Sequence, residues 1–223
     1  DSFSDGGHHH SVTAALRHAE KLLKDGAHIL DIGGESTRPG SPAVPLEEEM
    51  RRVLPFVQAA VQFGVPISVD TYKAQVMQAV LDAGADIIND VWALRQSGAQ
   101  SVVANHPQCG VVLMHMHKTP QDMQQTPMQG DAVAQVQNFL AQQTQALLAL
   151  GVERQRIVWD YGIGFGKTVA QNFALLAQQA ALTRQGFALL AGWSRKSSLG
   201  QVTNLSVEER IVPSVAAAVL AVE

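Results

Sequence analysis

Residues 66–90 read PISVDTYKAQVMQAVLDAGADIIND, and the fold turns on this stretch. Residues 66–70 and 86–90 are short apolar runs that each close on a polar residue. Between them Ala74, Val76, Met77, Val80 and Leu81 recur at the spacing of one helical face. Strand, helix and strand in succession make a β-α-β unit, in which the two strands run parallel.

The unit repeats in both directions. Apolar runs at 28–31, 110–115, 157–160 and 187–194 raise the candidate strands to six. Helical spacing returns in Leu16, Ala19, Leu22 and Leu23, in Leu46, Met50, Val53, Leu54, Val57 and Val61, and in Val133, Val136, Phe139, Leu140, Leu147 and Leu150. Ser11 and Asp131 stand where helix caps are expected. The runs are almost wholly apolar rather than alternating, which predicts a parallel sheet covered on both faces.

Six β-α repeats suit an open doubly wound sheet or a closed barrel. A barrel gathers the C-terminal ends of its strands at one face. Asp31, Asp70, Asn89, His115, Asp160 and the loop after Gly192 would then converge, and this favours a (β/α)8 barrel with about six of its eight strands in this chain. The glycines at 162, 164 and 166 follow the fifth strand rather than the first, against a dinucleotide-binding turn.

The 223 residues, 46% hydrophobic and 16% charged, are enough for one sizeable core. A formal charge of −4 with scattered Lys and Arg excludes the electrostatic footprint of a nucleic-acid binder. No apolar run reaches the roughly 20 residues of a membrane helix. Cys109 is the only cysteine, so no internal disulfide or cysteine metal cluster is possible, and a cytoplasmic setting is expected. His8, His9 and His10 are adjacent and cannot all face one ion, and the pair His115 and His117 lacks carboxylates for zinc.

Chemistry concentrates just beyond the strands. Residues 31–40, DIGGESTRPG, place two glycines, two hydroxyls and an arginine on a loop that can fold over a ligand. Asp70, Asn89 and Asp160 emerge where strands leave the core, and a carboxylate there is costly unless something bonds to it; ring N–H groups of a ligand would. Residues 161–167, YGIGFGK, let backbone approach a ligand closely, with Phe165 and Lys167 adding a ring and a cation. Residues 192–198, GWSRKSS, set two cations among hydroxyls, a place for an anion or an electron-rich ring.

Taken in order, DSFSDGG at 1–7, DIGGESTRPG at 31–40, SVDT at 68–71, IINDV at 87–91, LMHM at 113–116, GFGK at 164–167 and SRKS at 194–197 resemble the dihydropteroate synthase family along the whole chain. The resemblance implies a β/α barrel of folate biosynthesis that condenses a dihydropterin methyl pyrophosphate with p-aminobenzoate, with Mg2+ assisting the departure of pyrophosphate. By family position Asp70, Asn89, Met116, Asp160, Gly192 and Lys196 hold the pterin, and Asp70, Asp160 and Lys196 are its catalytic residues. Thr37, Arg38, Pro39, Phe165 and Ser197 frame the p-aminobenzoate pocket, which sulfonamides would share, and residues 1–7 form a loop closing over it. A homodimer is also implied.

Departures are visible too. The family's asparagine for magnesium and pyrophosphate lies before Asp1, and its Arg-x-His pair lies on its last strand. Neither segment is in this sequence, so the expectation is one barrel domain over 1–223, truncated at both ends, with no metal ligand of its own. Tyr161 stands where the family usually has proline, and its bulk would crowd the pterin slot if it pointed there. Rival readings are a pterin-binding corrinoid methyltransferase, a catalytically incomplete pterin-binding fragment, and a Schiff-base aldolase using Lys196.

Overall fold

The computed structural model of the chain describes residues 12–38, 40–119, 122–123 and 126–222. Helices and strands alternate: α1 (Val12–Lys24), β1 (Leu30–Gly33), α2 (Leu46–Ala60), β2 (Ile67–Asp70), α3 (Ala74–Asp82), β3 (Ile87–Asp90), α4 (Ala99–Asn105), β4 (Gly110–Met114), α5 (Ala132–Ala149), β5 (Ile157–Asp160), α6 (Val169–Ala177), α7 (Gln179–Thr183), β6 (Ala188–Leu190), α8 (Ser197–Thr203) and α9 (Ile211–Val222). The strands form one parallel sheet in the order β1-β2-β3-β4-β5-β6. A doubly wound sheet reverses its order at a switch point. Sequential order without reversal is that of six consecutive strands of a β/α barrel.

The four helices expected from apolar spacing form as α1, α2, α3 and α5, and helix ends have local causes. Asp131 caps α5, its carboxylate accepting from Val133 N at 2.9 Å and Ala134 N at 3.2 Å. Thr168 and Gln171 make a capping box at α6. Glu47, Glu48 and Glu49 crowd the first turn of α2, where carboxylates complement the helix dipole. The expected cap Ser11 lies outside the described residues.

Two strands differ from the sequence expectation. β1 begins two residues later than 28–31 because pairing, not apolar content, sets its bounds: Leu30 N donates to Pro66 O at 3.1 Å and Leu30 registers with Ile67, while Ile29 is half exposed. β6 stops at Leu190 rather than 194. The apolar residues beyond it bury without pairing, Trp193 packing 5.4 Å from Phe173, with Trp193 N turned back onto Ala191 O.

Nor is the sheet covered alike on both faces. Leu30, Ile32, Ile67, Val69, Ile88, Val111, Leu113, Ile157 and Trp159 are buried on the helix side. On the other face the register aligns Gly33 with Asp70, Asp70 with Asn89, Asn89 with Val112, Val112 with Val158 and Val158 with Ala188. One step further along, Met114, Asp160 and Leu190 align on that same face. This inner row is itself largely apolar, so each strand reads as a continuous run although only the outer row lies beneath helices. Among the described residues no helix is long and apolar enough to cross a membrane.

Candidate active site

On the inner face Asp70, Asn89 and Asp160 sit at or near the C-terminal ends of their strands. Asp70 closes β2 and Asn89 stands beside it in register on β3. Asp31, expected at the end of its strand, is instead the second residue of β1, exposed on the inner face, and accepts from Asn89 Nδ2 at 3.2 Å. Burial pushes the Asp70 carboxyl well above the usual carboxylate range, and the charges of Asp31, Asp90, Glu49 and Glu35 add to the shift. A group so placed favours a partner that donates hydrogen bonds.

Across the sheet, Asp160 is 7% exposed and its Oδ1 accepts from Gly162 N at 2.7 Å. Burial raises its pKa, opposed by that bond and by the charges of Lys196 and Lys167. Lys196 is held below its ordinary value by burial, with Asp160 acting the other way. Its Nζ lies 4.7 Å from the centre of the Phe165 ring. Met116, 2% exposed, belongs to a small cluster with Val91, Met114 and Met123, against which Tyr72, Trp92 and Phe165 pack. The structure thus groups Asp70 with Asn89, and Asp160, Lys196, Phe165 and Met116 in a second set, with Gly192 half-buried in the loop after β6.

Thr37 and Arg38 lie on the loop after β1 and Ser197 opens α8. Among the described residues no hydrogen bond or ion pair joins Thr37 or Arg38 to Phe165, Lys196 or Ser197; Arg38 N donates only to Ser36 Oγ, at 3.4 Å. Pro39, the segment 1–7 and His8 to His10 lie outside the described residues.

Tyr161 does not crowd the slot. Asp160 faces inward, so the next residue faces the helices; Tyr161 is fully buried in the main core and its hydroxyl donates to Gln179 Oε1 at 2.8 Å. Burial pushes that hydroxyl up to about 12. Gln179 Nε2 in turn donates to Leu220 O at 3.0 Å, tying the β5 loop to α9.

Several supporting residues escape sequence reasoning. The Lys73 ammonium is paired with both Glu35 and Glu49, Thr71 Oγ1 donates to Glu49 Oε1 at 2.6 Å, and Tyr72 OH donates to Glu35 Oε1 at 3.0 Å. Burial alone would lower Lys73, but the two carboxylates outweigh it and raise its pKa. The cluster fixes the loop after β1 to α2 and to the β2–α3 turn. Gly34 lets the loop approach α2, since a Cβ there would stand 2.6 Å from Val53 Cγ2. Asn172, 1% exposed, accepts from Gly164 N at 3.0 Å and donates to Ser198 Oγ at 2.8 Å, bridging the β5 loop to α8. Asp90 faces the helices, not the slot, and accepts from Trp92 N and Leu94 N at 2.7 and 2.8 Å; burial lifts it to about 7.

His115 is buried with Nδ1 unpartnered among the described residues, edge-on to Phe139. Burial, then Lys167, Arg95 and His117, hold it down to about 2 against an ordinary 6.5. The unfolded chain therefore takes a proton below 6.5 that the folded chain refuses until about 2. Stability from this group is complete above 6.5 and is lost as pH falls, by about 1.4 kcal/mol per pH unit. Denaturant titrations at pH 7.5 and 5.0 should show a loss about 2 kcal/mol larger in the wild type than in His115→Phe. Equal losses would mean that His115 takes its proton in the folded state.

No group of three His, Cys, Asp or Glu among the described residues could hold a metal ion.

A family model described as "Pterin binding enzyme" matches residues 1–223. Dihydropteroate synthase of Escherichia coli is 43% identical over 224 residues, covering 99% of this chain and 78% of that protein. The crystal structure of the Yersinia pestis dihydropteroate synthase with a sulfonamide drug complex superposes with a TM-score of 0.93 at 43% identity, covering 100% of this chain and 81% of that one. That of Burkholderia cenocepacia, complexed with 7,8-dihydropteroate, gives 0.86 at 49% identity, covering 95% and 78%.

Proposed function

The chain belongs to the pterin-binding enzyme family, and we infer that its activity is that of a dihydropteroate synthase: it condenses 6-hydroxymethyl-7,8-dihydropterin pyrophosphate with p-aminobenzoate, giving 7,8-dihydropteroate and pyrophosphate. One observation carries the reading. Asp70, Asn89 and Asp160 stand at the C-terminal ends of their strands on one face, with a cation, Lys196, against the Phe165 ring beside them.

The chemistry follows from those positions. Asp160 and Asp70, both drawn from water, accept the N–H groups of a pterin ring, and Asn89 adds a side chain that donates and accepts. When the carbon–oxygen bond to pyrophosphate breaks, its electron pair leaves with the phosphate and positive charge develops at the pterin methylene. A carboxylate bonded to the ring strengthens as that charge spreads into it, so the interaction favours the transition state over the bound substrate. The aryl amine then attacks the methylene carbon and gives up a proton. Lys196 feels the charge of the Asp160 carboxylate and stands 4.7 Å from the centre of the Phe165 ring, beside which a second aromatic molecule would stack. Thr37, Arg38, Pro39 and Ser197 are assigned to the p-aminobenzoate pocket, and Met116 and Gly192 to the pterin wall. Sulfonamides, as p-aminobenzoate mimics, would compete there.

Mg2+ is expected to accompany the pyrophosphate, but the described residues supply no ligand set, and no step above depends on it. A cytoplasmic setting and a homodimer complete the reading, with no role for nucleic acid or membrane.

Incubation of the protein with both substrates, followed by chromatography, tests it. Dihydropteroate that disappears when either substrate is omitted is expected. Saturable pterin binding without product would point to a non-catalytic binder, and methyl transfer to a corrinoid protein to the methyltransferase reading. Trapping of Lys196 by borohydride with a carbonyl substrate would favour an aldolase.

A further inference from the structure

Between Asp160 and α6 the chain turns through Gly162, Gly164 and Gly166, all at positive φ (63°, 87° and 71°). Such a turn has little conformational preference of its own. It also presses on the segment after β4: a Cβ on Gly162 would lie 2.0 Å from His115 O, and one on Gly166 would lie 2.6 Å from His117 Cβ. The two segments meet backbone to backbone, leaving no room for side chains to interlock there.

Lys167 supplies what the glycines lack. Its side chain runs into the protein, the residue being 4% exposed, and its ammonium has three N–H groups. Each finds a carbonyl: His115 O at 3.2 Å, Gly162 O at 2.9 Å and Phe165 O at 3.3 Å. Burial lowers the Lys167 pKa to about 7, and in the protonated form its bonds to these buried carbonyls are charge-assisted, the strong kind. His117 N also donates to Phe165 O, at 3.4 Å, and Phe165 N to Gly162 O, at 3.1 Å, so the Phe165 backbone is held from several sides.

We propose that Lys167 is a positioning residue: by holding the carbonyls of His115, Gly162 and Phe165 together, it sets the Phe165 ring against Lys196 on the p-aminobenzoate side of the site. It touches no substrate itself. The proposal rests on the function inferred above and on the placing of Phe165 in the p-aminobenzoate pocket.

The test is steady-state kinetics on Lys167→Met, which keeps the apolar stem and removes the ammonium. The KM for p-aminobenzoate is expected to rise about tenfold, with a smaller change in the KM for the pterin pyrophosphate. A lysine that acts through Phe165 also predicts non-additivity: in a Phe165→Leu background, Lys167→Met should raise the p-aminobenzoate KM less than about twofold further. Unchanged KM values in a folded Lys167→Met, or effects that multiply in the double variant, would overturn the proposal. If Lys167→Met fails to fold, 15N-lysine NMR of the wild type gives the same decision. A slowly exchanging ammonium that shifts on saturation with p-aminobenzoate supports the role, and one that exchanges freely or ignores p-aminobenzoate refutes it. Failure of the wild type to make dihydropteroate would count against the function itself, whereas an active wild type and a variant with the same KM values would sink the proposal alone.

Discussion

Asp160→Asn is expected to leave a folded protein whose titration with a 6-substituted dihydropterin shows binding roughly a hundredfold weaker, or none, by calorimetry. The fold should survive because asparagine keeps an oxygen at the position that accepts from Gly162 N. Binding should not, for two reasons. A hydrogen bond to a charged group is worth about 1.5–3 kcal/mol, and the substitution replaces one acceptor oxygen with an NH2 that would face the ring's own donors. It also removes the anion that opposes the depressed pKa values of Lys196 and Lys167, leaving two cations near each other in a buried site. Product formation should fall at least as far. Unaltered affinity in the variant would mean that the pterin is read elsewhere, with Asp70 and Asn89 as the next residues to replace.

Lys73→Met should be the most damaging single change for stability, with a loss of about 3–5 kcal/mol by urea denaturation. The reason is arithmetic of charge rather than loss of attraction. Glu35 and Glu49 are buried, and once the ammonium is gone two carboxylates face each other with only the Tyr72 and Thr71 hydroxyls as side-chain donors among the described residues. Adding Glu35→Gln and Glu49→Gln to Lys73→Met should therefore restore most of the loss, because it is the uncompensated charge that is expensive. A Lys73→Met protein within about 1 kcal/mol of wild type would show that water reaches the cluster. Because Glu35 begins the loop bearing Thr37 and Arg38, the single variant should also raise the KM for p-aminobenzoate.

The fold was legible in residues 66–90 because strand ends, helix face and turn all lie within one local unit. The sequential strand order, which decides for the barrel, is a long-range property and could only be argued from where the polar residues would converge. The two-sided burial expected of the strands holds only in part: Val112 and Met114 on the inner face are buried, but Ala188 and Leu190 are exposed though as apolar as the residues beneath the helices, so composition hides the difference. Asp70, Asn89 and Asp160 were legible because a polar residue closing an apolar run has little choice of position. Lys73 was not, since its partners lie 38 and 24 residues away in sequence. Lys167 read as a ligand-facing cation because nothing in a glycine-rich stretch reveals that the three acceptors are backbone carbonyls.

Adjacent positions 160 and 161 belong to different surroundings. The sheet acts as a partition, with Asp160 on the ligand's side and Tyr161 on the side of α7 and α9. A change at 161 therefore acts on the packing of α7 and α9, whereas a change at 160 acts on whatever occupies the inner face.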